Sequence, residues 1–397
     1  MVISEPPETL AAEALLAHVR QLSVIIGPRP PASAAEREAA AYVHQAISDL
    51  EAGWELLNQP FRSVPGFRYR IAPLAAAIAL SQLFGLRASH KSHAISGLIS
   101  IGLSILSRDS FLHRPAAWEG LYNQRESENV VVRIPPTGPV RKRVVFVAHM
   151  DSGLHRLTAS PRMMRHLPLT LGSITRLALV GGVLTLLAGR NQRWRNLRGL
   201  GGLVALGGAM LAVVDEMGPY VAGANCNASG VATLLGLADA LHHQPPAHTE
   251  VILAFTGSAT ATALGADMLA ARFAAEWRDA LWVLVENVGV GELCWVTQHG
   301  ISPYATYQPD PQAVRVMEQV ATARPDLGMM GRDLVTLDEL ALLQDRNLRA
   351  VALMAYDRAT GLIPHWRQSS DTIHALNPAT LERAAHACWT TVQVLDT

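Results

Sequence analysis

Two stretches of the chain carry residue types that can ligate a metal or move a proton. The first, Val144-Val-Phe-Val-Ala-His-Met-Asp151, is an unbroken apolar run that ends in an imidazole and a carboxylate two positions apart. A run of this kind is what a strand buried on both faces shows, so His149 and Asp151 are expected at the end of a central parallel strand. The second, Gly223-Ala-Asn-Cys-Asn-Ala-Ser-Gly230, is a polar turn bracketed by glycines that opens a helix and carries one thiol, Cys226. Taken singly these groups have plainer readings. A histidine at a strand end is commonly packed or solvated, and a free cysteine commonly serves as a small buried residue. His155, His299, His365 and His374 stand at no spacing that forms a ligand motif, and Asp371 and Thr372 suit the capping or pinning of a loop.

The elements that must position these groups follow from periodicity. Residues 9–24 have apolar positions at helical spacing until the Gly-Pro-Arg-Pro-Pro segment at 27–31 breaks them. Ser33 with Glu36 three residues on is a capping box for a helix over 34–50. Strands are expected at 129–134, 143–148, 249–255, 281–285 and 350–355, and helices at 228–242, 262–275 and 378–394. Strands alternating with helices indicate an α/β fold, a sheet covered on both faces, in one domain.

Two insertions interrupt the alternation, and each reads as a hydrophobic helical hairpin. The first, 71–106, has apolar runs at 71–86 and 94–106; the second, 177–214, has them at 177–189 and 199–214 around an Arg-rich tip. Each run is shorter than the roughly 20 residues that span a bilayer, so burial in a core is the competing reading. The mean hydropathy of +0.18 is high for a soluble enzyme, and the excess lies in these stretches. Their near-absence of a polar face leads to the expectation of membrane attachment, either spanning or dipping in. The N-terminus has no basic and apolar segments of a cleavable signal peptide. With 33 basic and 33 acidic residues the charges balance, which argues against nucleic acid as a partner. Three cysteines and no CxxC pair exclude a disulfide framework.

In order and local register, the two opening motifs resemble the metal-binding core of M28 zinc aminopeptidases, where the turn reads Gly-Ala-Asn-Asp-Asn-Ala-Ser-Gly. The segment Leu22-Ser-Val-Ile-Ile-Gly-Pro-Arg29 is similar to that family's N-terminal segment. The resemblance implies a zinc-exopeptidase-like mixed sheet flanked by helices, and a site of two zinc ions sharing an Asp. It places His149 on the first ligand, Asp151 on the residue that orients it, and Cys226 on the bridging Asp. After the strand at 249–255 the family continues with a Glu-Glu pair, general base then ligand; this chain has Ala259 and Thr260 there. Glu286 falls on the later Asp ligand. Pro364-His-Trp-Arg-Gln-Ser-Ser-Asp-Thr372 is similar to the family's last motif and puts Arg367 on its C-terminal His ligand.

On that reading His149, Cys226 and Glu286 form a set suited to a single zinc, while the second metal has lost its ligands and the water its base. Arg367 cannot bind a cation, and it is expected to fill the vacated position and pair with Glu286 or Asp151. The expected protein is a membrane-associated pseudopeptidase with a peptide or protein ligand in its vestigial cleft. Two alternatives stay open: an aminopeptidase using one metal and an unrecognised base, such as His365 or a carboxylate of Asp338 or Glu339, and a structural membrane protein with an empty site.

Overall fold

The computed structural model describes residues 4–69, 117–166, 213–302, 305–336 and 338–397, with isolated positions inside 70–116 and 167–212. The described helices are α1 (Ala12–Arg20), α2 (Ala34–Ser48), α3 (Pro161–Met164), α4 (Ser229–His243), α5 (Ala259–Thr262), α6 (Leu264–Phe273), α7 (Pro311–Ala323), α8 (Glu339–Asp345) and α9 (Pro378–Asp396). The strands are β1 (Glu55–Ser63), β2 (Arg125–Ile134), β3 (Lys142–His149), β4 (Thr249–Thr256), β5 (Leu281–Val285), β6 (Glu292–Ser302), β7 (Ala305–Tyr307), β8 (Met330–Leu334) and β9 (Arg349–Tyr356).

The nine strands among the described residues join one mixed sheet in the order β1-β2-β4-β3-β5-β9-β6-β7, with β8 beside β6. Its centre, β4-β3-β5-β9, is parallel, and antiparallel strands β2 and β6 flank it. β3 has a parallel neighbour on either side, and because helices cover both faces of the sheet there, its side chains are buried on both. Val144, Phe146 and Ala148 pack into one core with α1, α4 and α9, and Val145 and Val147 into the other with α6 and α8. This is why the run reads as continuous rather than alternating. From β3 the chain goes to β4 on one side and later to β5 on the other. The carboxyl end of β3 is therefore a topological switch point, where open parallel sheets leave a crevice. His149 stands there, level with Thr256 at the end of β4.

The strands expected at the sheet centre are present, and β2 begins earlier than expected, at Arg125. The helix expected over 262–275 is interrupted: Ala263 takes a left-handed conformation, φ 54°, which separates α5 from α6. Strands β1, β6, β7 and β8 and helices α7 and α8 were not anticipated. The hairpins expected at 71–106 and 177–214 fall almost wholly outside the described residues. The expectation of membrane attachment is overturned: among the described residues no helix is long and apolar enough to cross a membrane. The longest, α9, has 19 residues, carries Glu382 and Arg383, and turns its apolar side into the core.

Candidate functional site

Three side chains converge at the switch point. His149 comes from the end of β3, Glu286 from the residue after β5, and Cys226 from the turn that leads into α4. The His149 Nε2 lies 3.6 Å from the Glu286 Oε1 and 4.0 Å from the Cys226 Sγ, and that sulfur is 3.7 Å from the same Glu286 oxygen. All three residues are buried, and their donor atoms lie within 4.8 Å of one another.

The turn that carries Cys226 is held from several sides. Gly223, in the left-handed region at φ 64°, starts it. The Asp371 carboxylate accepts from the Asn225 and Cys226 backbone N–H groups at 2.6 and 3.1 Å. Arg29 is fully buried and donates five hydrogen bonds to backbone carbonyls, at Leu22, Gly27, Met150, Ala222 and Gly223. Its guanidinium ties the turn to the exit of β3, and burial lowers its pKa to about 10 against the attraction of Asp371 and Asp151.

Asp151 does more than orient a histidine. One of its oxygens accepts from the Ala259 N–H at 3.0 Å; the other accepts from the Thr260 N–H at 2.8 Å and the Thr260 hydroxyl at 2.6 Å. It thus satisfies the first amides of α5, the four-residue helix that bears both substituted positions. The same carboxylate is 3.3 Å from the His149 Nδ1, and that nitrogen lies 2.9 Å from the Asp151 carbonyl oxygen. With a proton on Nδ1, the Nε2 lone pair points at Cys226 and Glu286.

Burial opposes charge on His149, but its bonds to Asp151, Cys226 and Glu286 outweigh that and hold its pKa well above the ordinary value. Burial likewise opposes ionisation of Asp151, yet the His149 and Thr260 contacts keep its pKa low. Burial raises the Cys226 thiol, with His149 pulling the other way.

A second layer of acids surrounds this group. Glu36 accepts from the Ala32 N–H at 2.9 Å, the Ser127 hydroxyl at 2.8 Å and the Ser258 N–H at 2.6 Å. Burial, with Asp151 nearby, pushes its pKa up to about 8. Glu339 takes a hydrogen bond from the Thr256 hydroxyl at 3.0 Å, and burial raises it to about 8 as well. Asp338 is raised well above its usual range by burial and by Glu286, and lies 3.6 Å from the His299 Nδ1. Glu36 was legible only as a helix cap, and its reach to Ser258 carried no sequence signal. Arg29 stood in a recognisable motif without an assigned role.

The remaining candidates lie apart from the three. His155 accepts from the Ser369 N–H, His365 contacts the Ser370 hydroxyl, His299 contacts Gln344, and His374 belongs to a short turn before α9. Arg367 corrects an expectation, since it pairs with neither Glu286 nor Asp151. Those carboxylates are engaged by His149, Cys226 and Asn287, and by His149 and the α5 amides. The Arg367 guanidinium instead lies against Gly153, where an added Cβ would stand 2.7 Å from its Cζ, and 5.6 Å from the Trp366 ring centre. Backbone donors, which residue charges do not reveal, took Asp151, and neighbouring side chains took Glu286.

The donor set fits one zinc. A tetrahedral ion about 2.0–2.3 Å from each donor sets them ~3.5 Å apart, and the three separations are close to that. The Glu286 Oε2 is buried with no hydrogen-bond partner, which leaves an oxygen for coordination.

Residues 209–392 match the sequence profile of peptidase family M28. No curated protein matches the sequence. Among solved structures, a leucine aminopeptidase precursor from Bacteroides thetaiotaomicron superposes with a TM-score of 0.58 at 13% identity, covering 98% of this chain and 99% of that one. A glutaminyl cyclase from the same organism gives 0.57 at 14% identity over 98% and 99%. A zinc aminopeptidase from Bacillus subtilis gives 0.57 at 13% identity over 98% and 95%. At these identities the likeness is one of fold.

Proposed function

We propose that this chain, whose residues 209–392 match the profile of peptidase family M28, is a non-hydrolytic member of that family that holds a single zinc ion on His149, Cys226 and Glu286 and binds a peptide or protein segment without cleaving it. The observation that carries the reading is the state of α5. At the positions matching the family's base and second-metal ligand stand Ala259 and Thr260, and the Thr260 hydroxyl is spent on Asp151. Neither residue can take a proton from water. Fold alone does not choose an activity, since similar structures are described both as aminopeptidases and as glutaminyl cyclases.

A zinc ion bound here supplies Lewis acidity and a fixed positive charge. The chain's own residues do the rest. Asp151 and the Asp151 carbonyl fix the imidazole, Asn287 donates to the Glu286 Oε1 at 3.0 Å, and Asp371 and Arg29 keep the Cys226 turn in place. Zinc-loaded protein incubated with aminoacyl amides is expected to release no N-terminal residue above a metal-free control. Robust, chelator-sensitive release by the unaltered protein would overturn the reading.

One observation favours a second reading. Glu339 is a buried carboxyl near neutrality, its Oε1 lacks a partner, and its charge acts on His149. Those are properties of a general base. If hydrolysis is found, Glu339→Gln abolishes it on this reading.

A further inference from the structure

The arginine within the last motif is, among the described residues, a cation without a counter-ion. Arg367 is 8% exposed, its Nε is buried with no hydrogen-bond partner, and among the described residues no carboxylate lies within ion-pair distance. Taking that N–H from water without an acceptor is costly, and the contact with the Trp366 ring does not replace the missing hydrogen bond. Burial by itself does not produce the condition. Arg29 is just as enclosed, yet it makes five hydrogen bonds to carbonyls. Arg156, the other guanidinium beside Arg367, is paired with Glu216. The partners of three acids of this region lie elsewhere: both oxygens of Asp151 bond α5, Oε1 of Glu286 faces His149 and Asn287, and Oε1 of Glu216 pairs with Arg156.

Arg367 is also held in place rather than left to swing. Its backbone is in the left-handed region, φ 54°, and its carbonyl accepts from the Arg156 N–H at 2.9 Å and the Gln368 side chain at 3.1 Å. The guanidinium lies against Gly153, two residues after Asp151, in a space that a Cβ at that position would occupy. Gly153 in turn pairs with Val221, two residues before the Cys226 turn begins, through a 2.9 Å backbone bond. The same short stretch therefore carries the imidazole and seats the arginine, and the positive charge of Arg367 acts on Cys226.

We infer that the cleft accepts a ligand bearing a carboxylate, and that Arg367, seated on Gly153, is the group that pairs with it. The inference rests on the reading of the site as a binding site and names its ligand class. A planar guanidinium offers two parallel N–H groups to a carboxylate, which matches a peptide C-terminus or an N-acyl amino acid. A free amine would bring a second positive charge to the same spot. A phosphate dianion would bring two negative charges to one unspent cation, among the carboxylates of Asp151, Glu216 and Glu286.

N-acetylglycine, glycinamide and inorganic phosphate can be titrated into the full chain by calorimetry or ligand-observed NMR, with and without one equivalent of zinc. N-acetylglycine is expected to bind wild type, and glycinamide to give no saturable signal. Arg367→Gln, with folding checked by circular dichroism, should bind N-acetylglycine at least about tenfold more weakly, the scale of one lost charge-assisted pair. Arg367→Lys should lie between, as it keeps the charge without the fork. Glycinamide binding as well as N-acetylglycine, phosphate binding more tightly than either, or an unchanged Arg367→Gln would each overturn the inference. The probe comparison on wild type stands even if a variant fails to fold. Uptake of zinc without N-acetylglycine binding sinks this inference alone, whereas N-acetylglycine binding without zinc uptake sinks the single-zinc reading alone.

Discussion

Replacing Asp151 by Asn tests whether one carboxylate organises the site, and its cost can be worked from the contacts. Two oxygens receive three short bonds, from Ala259 N–H at 3.0 Å, Thr260 N–H at 2.8 Å and the Thr260 hydroxyl at 2.6 Å. An amide offers one oxygen and places an NH2 group where the other stood. If that oxygen faces Thr260, the NH2 confronts the Ala259 N–H; if it faces Ala259, the Thr260 hydroxyl can rotate to accept but the Thr260 N–H cannot. Either way one buried N–H loses its acceptor, at about 1–3 kcal/mol, and the surviving bond loses its charge assistance, about 1 kcal/mol more. The expected loss is about 2–4 kcal/mol in urea unfolding monitored by circular dichroism, with the slope against denaturant unchanged. Asp151→Ala should cost at least as much, because both amides are then unpaired. An Asp151→Asn protein within about 0.5 kcal/mol of wild type would refute the claim that this carboxylate holds α5.

Other consequences can be checked alongside. Glu36 and Glu339 have folded pKa values of about 8, above those of the unfolded chain. Their contribution to stability is thus complete below about pH 4 and is lost as pH rises through about 8, at up to about 1.4 kcal/mol per pH unit for each group. Glu36→Gln should flatten that fall in a pH series of denaturation curves. Cys226→Ser should weaken zinc binding at least about tenfold in a competition assay with a chromogenic chelator, since a neutral hydroxyl replaces a thiolate ligand. Arg367→His alone should release no N-terminal residues from peptides. Cys226→Asp, Ala259→Glu, Thr260→Glu and Arg367→His together are the minimum expected to give zinc-dependent release, because the base must return with the ligand.

Much of the fold could be read in advance for a physical reason. Parallel strands buried on both faces leave continuous apolar runs, and 144–148, 251–255 and 281–285 all do so. Edge strands leave no such mark. β1 mixes Glu55, Asn58, Gln59 and Arg62 with apolar residues and contains Pro60, a composition that reads as loop. Helix α8 is only seven residues long, with Glu339, Leu340, Ala341, Leu342 and Leu343 all buried, so it shows no amphipathic period. The three converging side chains were legible in order, because each sits at the end of a recognisable strand or turn. The pairing of Arg367 was not. Counting charges along the chain pairs it with a nearby acid, but backbone amides compete for Asp151 and have no letter in the sequence. Glu36 shows the same limit, since its bond to Ser258 joins residues 222 positions apart.

Titration of the metal-free protein with Co(II), followed by absorbance, tests the central claim most directly, because a thiolate ligand gives the ion an intense near-ultraviolet charge-transfer band. The account predicts that this band saturates at one equivalent, disappears in Cys226→Ser, and is displaced by one equivalent of zinc. Saturation at two equivalents, or tight binding of one ion without a thiolate band, would contradict it.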